Sequence, residues 1–320
     1  MKFAVLGVGA LGSIIAAHLI KAGYDVQVIA RGSRAAHLKG HGFTITGLSD
    51  INVPCTVVTD PMLLTDVDVL IITVKTYDMD EALASVAHVN ARSVLSVQNG
   101  VMKDEQISEV FGQQATLGVA TAASGELRPN GEVEFTINES IYIGELLGEK
   151  TQRVHEIVDA LVKSGVGAQV SDHIVSMEWS KFVPWMAIVA MSALTRLETY
   201  KFLSDPDHSH LMAGLLREIA RIPEKLGIVL EDIPPLPAKT LCSVPFDETV
   251  EQIQAMGRYF ESVAPTHKLS TLQDLERGRR IEVEETLGYA LKEAGKLGIA
   301  TPTLETCYRL LAGVNRYVTA

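Results

Sequence analysis

Up to about residue 170, short β-branched runs alternate with stretches of helical periodicity, the pattern a parallel α/β sheet requires. Lys2 to Gly7 predicts a first strand, Leu11 to Ala22 a helix stopped by Gly23, and Asp25 to Ala30 a second strand. Asp66 to Val74 is a near-continuous apolar run ending at Lys75, which fits a central strand buried on both faces. Ser93 to Gln98 reads the same way and ends at Asn99-Gly100, and Ala115 to Thr121 continues the sheet. Pro129-Asn130-Gly131, followed by Glu132 to Ile137 and Ile141 to Gly144, predicts an antiparallel hairpin region. Thr151 to Ser164 follows as a helix and Gly167 to Val170 as a last strand.

From about residue 171 the strand signal stops and long helical periodicities take over. The candidates are Ser171 to Tyr200, Pro206 to Leu226, Phe246 to Ser262, Leu269 to Leu297 and Thr303 to Tyr317. Pro184 and Pro223 lie inside two of them and are expected to kink or restart those helices. Ile233-Pro234-Pro235-Leu236-Pro237 reads as a rigid connector, and no repeat of solenoid period is present. The change of pattern divides the chain into two expected domains, residues 1–170 and 171–320.

Composition narrows the class. With 320 residues, 47% of them hydrophobic and 21% charged, the chain can bury real cores, which excludes intrinsic disorder and a small disulfide scaffold. The apolar start of the chain is interrupted by Gly7, Gly9, Gly12 and His18, so it reads as a folded strand and helix, with neither a secretory signal nor a membrane span expected. Cys55, Cys242 and Cys307 are odd in number, widely spaced and without a C-x-x-C pair; neither a disulfide framework nor a zinc site is expected, and a reducing, cytoplasmic compartment fits best. The net charge of −11 argues against nucleic-acid and acidic-membrane partners. It is unevenly spread: residues 1–40 hold five Lys or Arg against one Asp, a net of +4, which leaves −15 on the other 280. An acidic chain thus begins with a locally basic segment.

The strongest local chemistry lies in that segment. Gly7-Val8-Gly9-Ala10-Leu11-Gly12 follows a predicted strand and opens a predicted helix. Glycine permits a tight turn at Gly7, close approach of a pyrophosphate at Gly9 and close strand-to-helix packing at Gly12, while the helix N-terminus presents N–H groups and partial positive charge. The bland alternative is a tight βα turn and nothing more. At the end of the second strand, a fold specific for NAD would place an acid for the ribose 2′-hydroxyl. This chain reads Ala30-Arg31-Gly32-Ser33-Arg34 instead, so Arg31 and Arg34 can pair with a 2′-phosphate and NADP(H) is favoured, unless they are simply two surface arginines.

Lys75 and Asn99 fall at the carboxyl ends of predicted strands, where open α/β sheets place ligands, although a solvated Lys and a turn Asn would look the same. In the second half, helical spacing puts Lys181, Trp185, Val189 or Ser192, and Arg196 on one face. A lysine in mostly apolar surroundings can act as a general acid near neutral pH, and a snorkelling surface lysine is the alternative. His208 and His210 point apart on a helix and lack a carboxylate cluster, so no metal site is expected.

Taken in order, GVGALG at Gly7 to Gly12, Arg31, Val74-Lys75-Thr76, Gln98-Asn99-Gly100, Glu178-Trp179-Ser180-Lys181, Ser270-Thr271-Leu272-Gln273-Asp274-Leu275 and Arg280-Ile281-Glu282 resemble the ketopantoate reductases (2-dehydropantoate 2-reductases) over almost the whole chain. The resemblance implies an α/β fold: an N-terminal Rossmann-type dinucleotide-binding domain followed by an all-helical C-terminal domain, with NADPH and a 2-oxo acid in the cleft between them. It implies Lys181 as the general acid and Glu282 as an acid near it and the substrate hydroxyl. Ser270 would hold the substrate carboxylate, Asn99 would bridge cofactor and substrate, and Ser124 would join the cofactor-binding set. A homodimer is compatible with such families.

The chain departs from the family in its substrate-side residues. Asparagines usual four and eight residues after the lysine are Trp185 and Val189 here, His267 stands where an Asn is common, and Glu285-Thr286-Leu287-Gly288 replaces an aromatic-x-Asn-Gly. Fewer amide donors and more apolar area make the pocket poorer in hydrogen bonds, so the expected reaction is NADPH-dependent reduction of a 2-oxo acid to a 2-hydroxy acid, foremost 2-dehydropantoate to pantoate or else a bulkier, more apolar 2-oxo acid. An opine-type dehydrogenase and a catalytically silent NADP(H)-binding sensor remain open as alternatives.

Overall fold

Strands with alternate residues facing opposite ways need a cover on both faces when every position is apolar, and the first half of the chain is built on that requirement. The computed structural model describes residues 1–234 and 236–318. Its first compact unit, Met1–Val175, runs β1 (Lys2–Leu6), α1 (Ala10–Lys21), β2 (Asp25–Ile29), α2 (Gly32–His41), β3 (Phe43–Gly47), β4 (Ile51–Val53), β5 (Thr56–Val58), β6 (Val67–Ile72), α3 (Met79–Val86), β7 (Ala91–Ser96), α4 (Met102–Phe111), β8 (Thr116–Leu127), β9 (Val133–Glu145), α5 (Gln152–Lys163) and β10 (Ala168–Val170). The described strands form one ten-stranded sheet in the order β4-β3-β9-β8-β7-β6-β1-β2-β5, with β10 added beside β9. From β5 to β8 the pairings are parallel, and β8 and β9 run antiparallel.

Phe3 and Val5 of β1 and Val69 and Ile71 of β6 face one core, shared with α1 and α5. Ala4, Leu6, Leu70 and Ile72 face the other, where Met79, Leu83 and Val86 of α3 and Ile107 of α4 cover them. β1 lies between β2 and β6, so the chain leaves it in one direction to form β2 and returns on its other side as β6. That reversal opens a crevice at the carboxyl ends of these strands.

The expected hairpin region differs in detail. Val133 to Ile137 and Ile141 to Gly144 belong to a single strand, β9, because the polar residues between them are satisfied in place: Asn138 donates to the Gly165 carbonyl (3.1 Å) and accepts from the Gly167 N–H (2.8 Å). The strands β4 and β5, three residues each, are too short to show a period.

The second unit begins at Ser176 and is helical apart from a two-residue ribbon. It comprises most of α6 (Ile174–Thr195), then α7 (Thr199–Ser204), α8 (Pro206–Lys225), β11 (Asp232–Ile233), β12 (Leu236–Pro237), α9 (Ala238–Ser243), α10 (Phe246–Val263), α11 (Ser270–Glu276), a π-helical turn (Glu284–Gly288), α12 (Tyr289–Lys296) and α13 (Pro302–Val318). The connector at 233–237 contains this ribbon, and Pro235 lies outside the described residues. Among the described residues no helix is long and apolar enough to cross a membrane.

Two helix expectations are corrected, and the two internal prolines neither end nor restart their helices. α6 and α8 run through Pro184 and Pro223 without ending there, since fully buried neighbours, Val183 and Met186 in one and Ile219 and Ile222 in the other, offset the missing backbone bond of about 3 kcal/mol. The helix from Ser171 to Tyr200 ends at Thr195, where Arg196 takes φ 57°, and α7 restarts beyond it. Leu269 to Leu297 is also interrupted: Gly278 at φ 64° ends α11, and Arg279 N–H closes onto the Asp274 carbonyl (2.8 Å) before the chain becomes irregular.

Inside the first unit, His18 of α1 is 4% exposed, with its Nδ1–H donating to the Ile14 carbonyl (2.7 Å) and its ring edge-on to Phe135. Burial pushes this imidazole below its ordinary range. The unfolded chain therefore takes up a proton as pH falls through about 6.5 while the folded chain resists it, so acid favours unfolding. Urea unfolding at pH 7.5 and 5.5 is expected to show wild type losing about 1 kcal/mol more over this interval than His18→Gln. Equal losses would mean that His18 does not carry the acid sensitivity.

Candidate functional site

The loop from β1 to α1 owes its shape to three glycines with three different surroundings. Gly7 has φ 86°, and a Cβ there would meet Val74 Cγ1 at 2.7 Å and Val74 N at 2.9 Å. A Cβ on Gly12 would collide with Thr73 Oγ1 and the Gly7 carbonyl, so α1 approaches the end of β6 at a distance only glycine permits. Gly9, the N-cap of α1, is the opposite: a Cβ there would meet nothing within 4 Å. The loop is thus packed tightly from behind and open in front. Ala10 and Leu11 form the first turn of α1, which contains no acid, and they pack against the core. An open glycine at the N-terminus of a helix free of local negative charge fits a dinucleotide pyrophosphate.

A cleft of about 430 Å³ lies in front of this loop, lined by Leu6, Gly7, Val8 and Gly9, by Ile29, Ala30, Arg31 and Arg34, and by Val74, Asp78, Glu81, Ala82 and Leu127. It brings together the carboxyl ends of β1 and β2 and the segment after β6, at the point where strand order reverses. Five of the expected cofactor residues, Gly7, Val8, Gly9, Arg31 and Arg34, line it.

The two arginines differ sharply. Arg34 is half-buried; its Nε donates to the Val8 carbonyl (3.0 Å), one terminal nitrogen to the Gly131 carbonyl (2.7 Å) and the other to Ser13 Oγ (2.8 Å). It ties the glycine loop to α1 and to the turn between β8 and β9. Arg31, the N-cap residue of α2, is exposed and meets Glu81 Oε1 through a terminal nitrogen at 2.5 Å. Glu81 and Asp78 escaped the sequence reading because they come from α3 and the turn before it, far from β2 along the chain; an acidic pair just beyond an apolar strand end is the signal that would have found them.

Lys75, half-buried, caps the short turn after β6, and Asn99, also half-buried, follows β7 just before Gly100 at φ 94°. Gln98 links these strand ends: its side chain donates to the Val74 carbonyl (2.7 Å) while its Oε1 is buried without a partner. Ser124 is exposed on β8 where the pairing with β9 shifts register. Lys75, Asn99 and Ser124 are not among the residues lining the cleft.

In the helical unit, Lys181 and Trp185 are half-buried on α6, whereas Val189 and Ser192 are buried and Arg196 lies beyond the helix end. Ser180 anchors the segment after α8, accepting from the Glu231 N–H (2.8 Å). His267 holds α7 by its backbone and ring: its carbonyl accepts from Thr199 N–H (2.9 Å), and Nδ1 lies 2.8 Å from Thr199 Oγ1. Ser270 is the exposed first residue of α11. Glu282 is half-buried in the irregular stretch before the π turn, and Asn315 of α13 grips the residue before it, accepting from Ile281 N–H (2.8 Å) and donating to Ile281 O (3.1 Å). Glu285, at the departure from the family pattern, has its carboxyl pushed up by burial and lies 3.4 Å from Arg280. His208 and His210 turn to different partners, Asp205 and Phe246.

Residues 3–148 match the family model described as ketopantoate reductase PanE/ApbA, and residues 173–315 match its C-terminal companion. The chain is 28% identical to a 2-dehydropantoate 2-reductase of Archaeoglobus fulgidus over 313 residues, 97% of each chain. Among solved structures, a PanE/ApbA family ketopantoate reductase from Ralstonia eutropha superposes with a TM-score of 0.85 at 22% identity, covering 100% of both chains. A D-mandelate dehydrogenase with NADH and anilino(oxo)acetate has the same fold, with a TM-score of 0.85 at 18% identity and 100% coverage of both chains.

Arg34→Leu removes three hydrogen bonds from a half-buried cluster, the one to the Gly131 carbonyl among them, at an expected cost of about 2–3 kcal/mol of stability. Arg34→Lys is expected to recover less than half of it, because an ammonium cannot span three acceptors set for a planar fork. Denaturant titration of the three proteins checks this; equal stability of Arg34→Lys and wild type contradicts it.

Proposed function

This chain belongs to the ketopantoate reductase family of oxidoreductases, and on that premise we propose that it catalyses the NADPH-dependent reduction of a 2-oxo acid to the 2-hydroxy acid. The observation that carries the reading is the glycine loop, closed behind by Thr73 and Val74 and open in front at Gly9, beside a cleft that includes Arg31. The first unit is the cofactor domain in this reading and the helical unit the substrate domain.

Nicotinamide, when bound, supplies the hydride that adds to C2 of the oxo acid. The Gly9–Leu11 backbone and the α1 N-terminus hold the pyrophosphate, and Arg31 takes the 2′-phosphate. Lys181 stabilises the oxygen charge that grows at C2 and donates its proton there. Glu282 accepts from the substrate hydroxyl side, Ser270 donates to the substrate carboxylate, and Asn99 orients the reacting groups. Asn315 supports this arrangement by gripping Ile281, the residue before Glu282.

The substrate is 2-dehydropantoate or a more apolar 2-oxo acid, and Trp185 favours the second. An indole in place of an amide adds apolar contact and leaves a polar substrate with one partner fewer. The D-mandelate dehydrogenase of like fold, whose structure contains anilino(oxo)acetate, is consistent with an aromatic oxo acid.

A panel of 2-oxo acids followed by NADPH absorbance tests the reading. Turnover of at least one member is expected, with Lys181→Ala lowering kcat about a hundred- to ten-thousandfold. An absolute requirement for an added amine would move the assignment to an opine-type dehydrogenase, and NADPH binding without turnover of any member would make the protein a nucleotide sensor. Trp185→Asn is expected to raise kcat/KM for ketopantoate about tenfold relative to an aryl 2-oxo acid; an unchanged ratio removes Trp185 as the determinant.

A further inference from the structure

We propose that Glu81 sets how strongly the cleft prefers a 2′-phosphorylated dinucleotide, by competing with the 2′-phosphate for Arg31; the proposal rests on the dinucleotide reading of the cleft. The end of β2 lacks the acid that would receive a ribose 2′-hydroxyl, since the chain there reads Ala30-Arg31-Gly32. The fold supplies a carboxylate from elsewhere. Glu81 sits in the first turn of α3, lines the same cleft as Arg31 and contacts its guanidinium at 2.5 Å.

Among the residues lining the cleft, the other arginine is already committed. Arg34 is spent on Val8, Gly131 and Ser13. Asp80, next to Glu81, accepts from Gln106 Nε2 at 2.7 Å, and the cleft lining includes Glu81 but not Asp80. Asp78 adds a second acid to the lining, exposed at the mouth of α3.

Both members of the Arg31–Glu81 pair are well exposed, with side-chain exposures of 57% and 74%, so the pair opens easily. A 2′-phosphate that takes Arg31 displaces Glu81 and then faces its negative charge, whereas a 2′-hydroxyl can donate to the same carboxylate and leave the pair in place. Glu81 therefore acts in opposite directions on the two ribose forms. It holds the NADPH preference below what Arg31 alone would produce and gives NADH a foothold.

The test uses the full-length protein and its Glu81→Gln variant, which keeps size and hydrogen bonding at an exposed position. Calorimetric titration with adenosine 2′,5′-bisphosphate and with adenosine 5′-monophosphate reads the ribose site without turnover. The ratio of their affinities is expected to shift about five- to tenfold toward the 2′-phosphorylated fragment in Glu81→Gln, with a parallel shift in the NADPH-to-NADH ratio of kcat/KM. In an Arg31→Ala background the same substitution is expected to move the fragment ratio less than twofold, because the contested partner is gone. An unchanged ratio in Glu81→Gln, with wild type binding both fragments, overturns the role of Glu81 and leaves the cofactor reading standing. Failure of wild type to bind either fragment, NADPH or NADH overturns both.

Discussion

The site in the first unit depends on one steric constraint, the absence of a Cβ at Gly12. Because nothing projects from that position, α1 lies directly against Thr73 at the end of β6, and Thr73 in turn donates to the Gly7 carbonyl and accepts nothing bulky between them. The loop is thereby pressed flat against two strand ends, and Gly9 is left facing open space at the N-terminus of a helix. A methyl group would push the helix off the sheet and change how the first N–H groups of α1 are presented. The cleft depends on this contact, since it lies where the loop, the end of β2, the segment after β6 and the start of α3 converge.

Charge in that cleft is distributed by division of labour. A buried guanidinium is costly unless its donors are used, and Arg34 satisfies this by serving the backbone, which makes it part of the loop's foundation while it still borders the cleft. Arg31 stays in solvent and is held only by Glu81. Two arginines three residues apart on the chain thus have unlike roles, one chiefly positional and the other free to exchange partners. Within the locally basic first forty residues, Arg31 is paired in space with Glu81 of α3.

The substrate-side residues sit on elements that are themselves tied down by polar contacts. Ser180 pins the segment after α8 next to Lys181, His267 pins α7 through Thr199, and Asn315 pins the irregular stretch that carries Glu282. His267 stands where the family pattern favours an amide, and its ring nitrogen beside Thr199 shows that a departure at a ligand-like position can be absorbed into the scaffold. Trp185 has no such anchor and remains the departure with the clearest bearing on specificity.

What the sequence by itself determined is the set of features written in local order. Apolar runs marked β1, β2, β6 and β7 to within two or three residues, since strands covered on both faces are mostly apolar; the glycine spacing marked the turn from β1 to α1, since a Cβ would clash at Gly7 and Gly12; and the ordered motifs marked the family. Tertiary structure decided what depends on partners distant in sequence. It carried α6 through Pro184 and α8 through Pro223 by burying their flanks, and it broke the stretch from Leu269 to Leu297 because Gly278 ends one helix and Asn315 takes up the backbone of Ile281 beyond it. It committed Arg34 to carbonyls as far away as Gly131 and set Glu81 against Arg31, fifty residues apart on the chain. Periodicity reports which face of an element is buried, but only the assembled fold reports which charges meet.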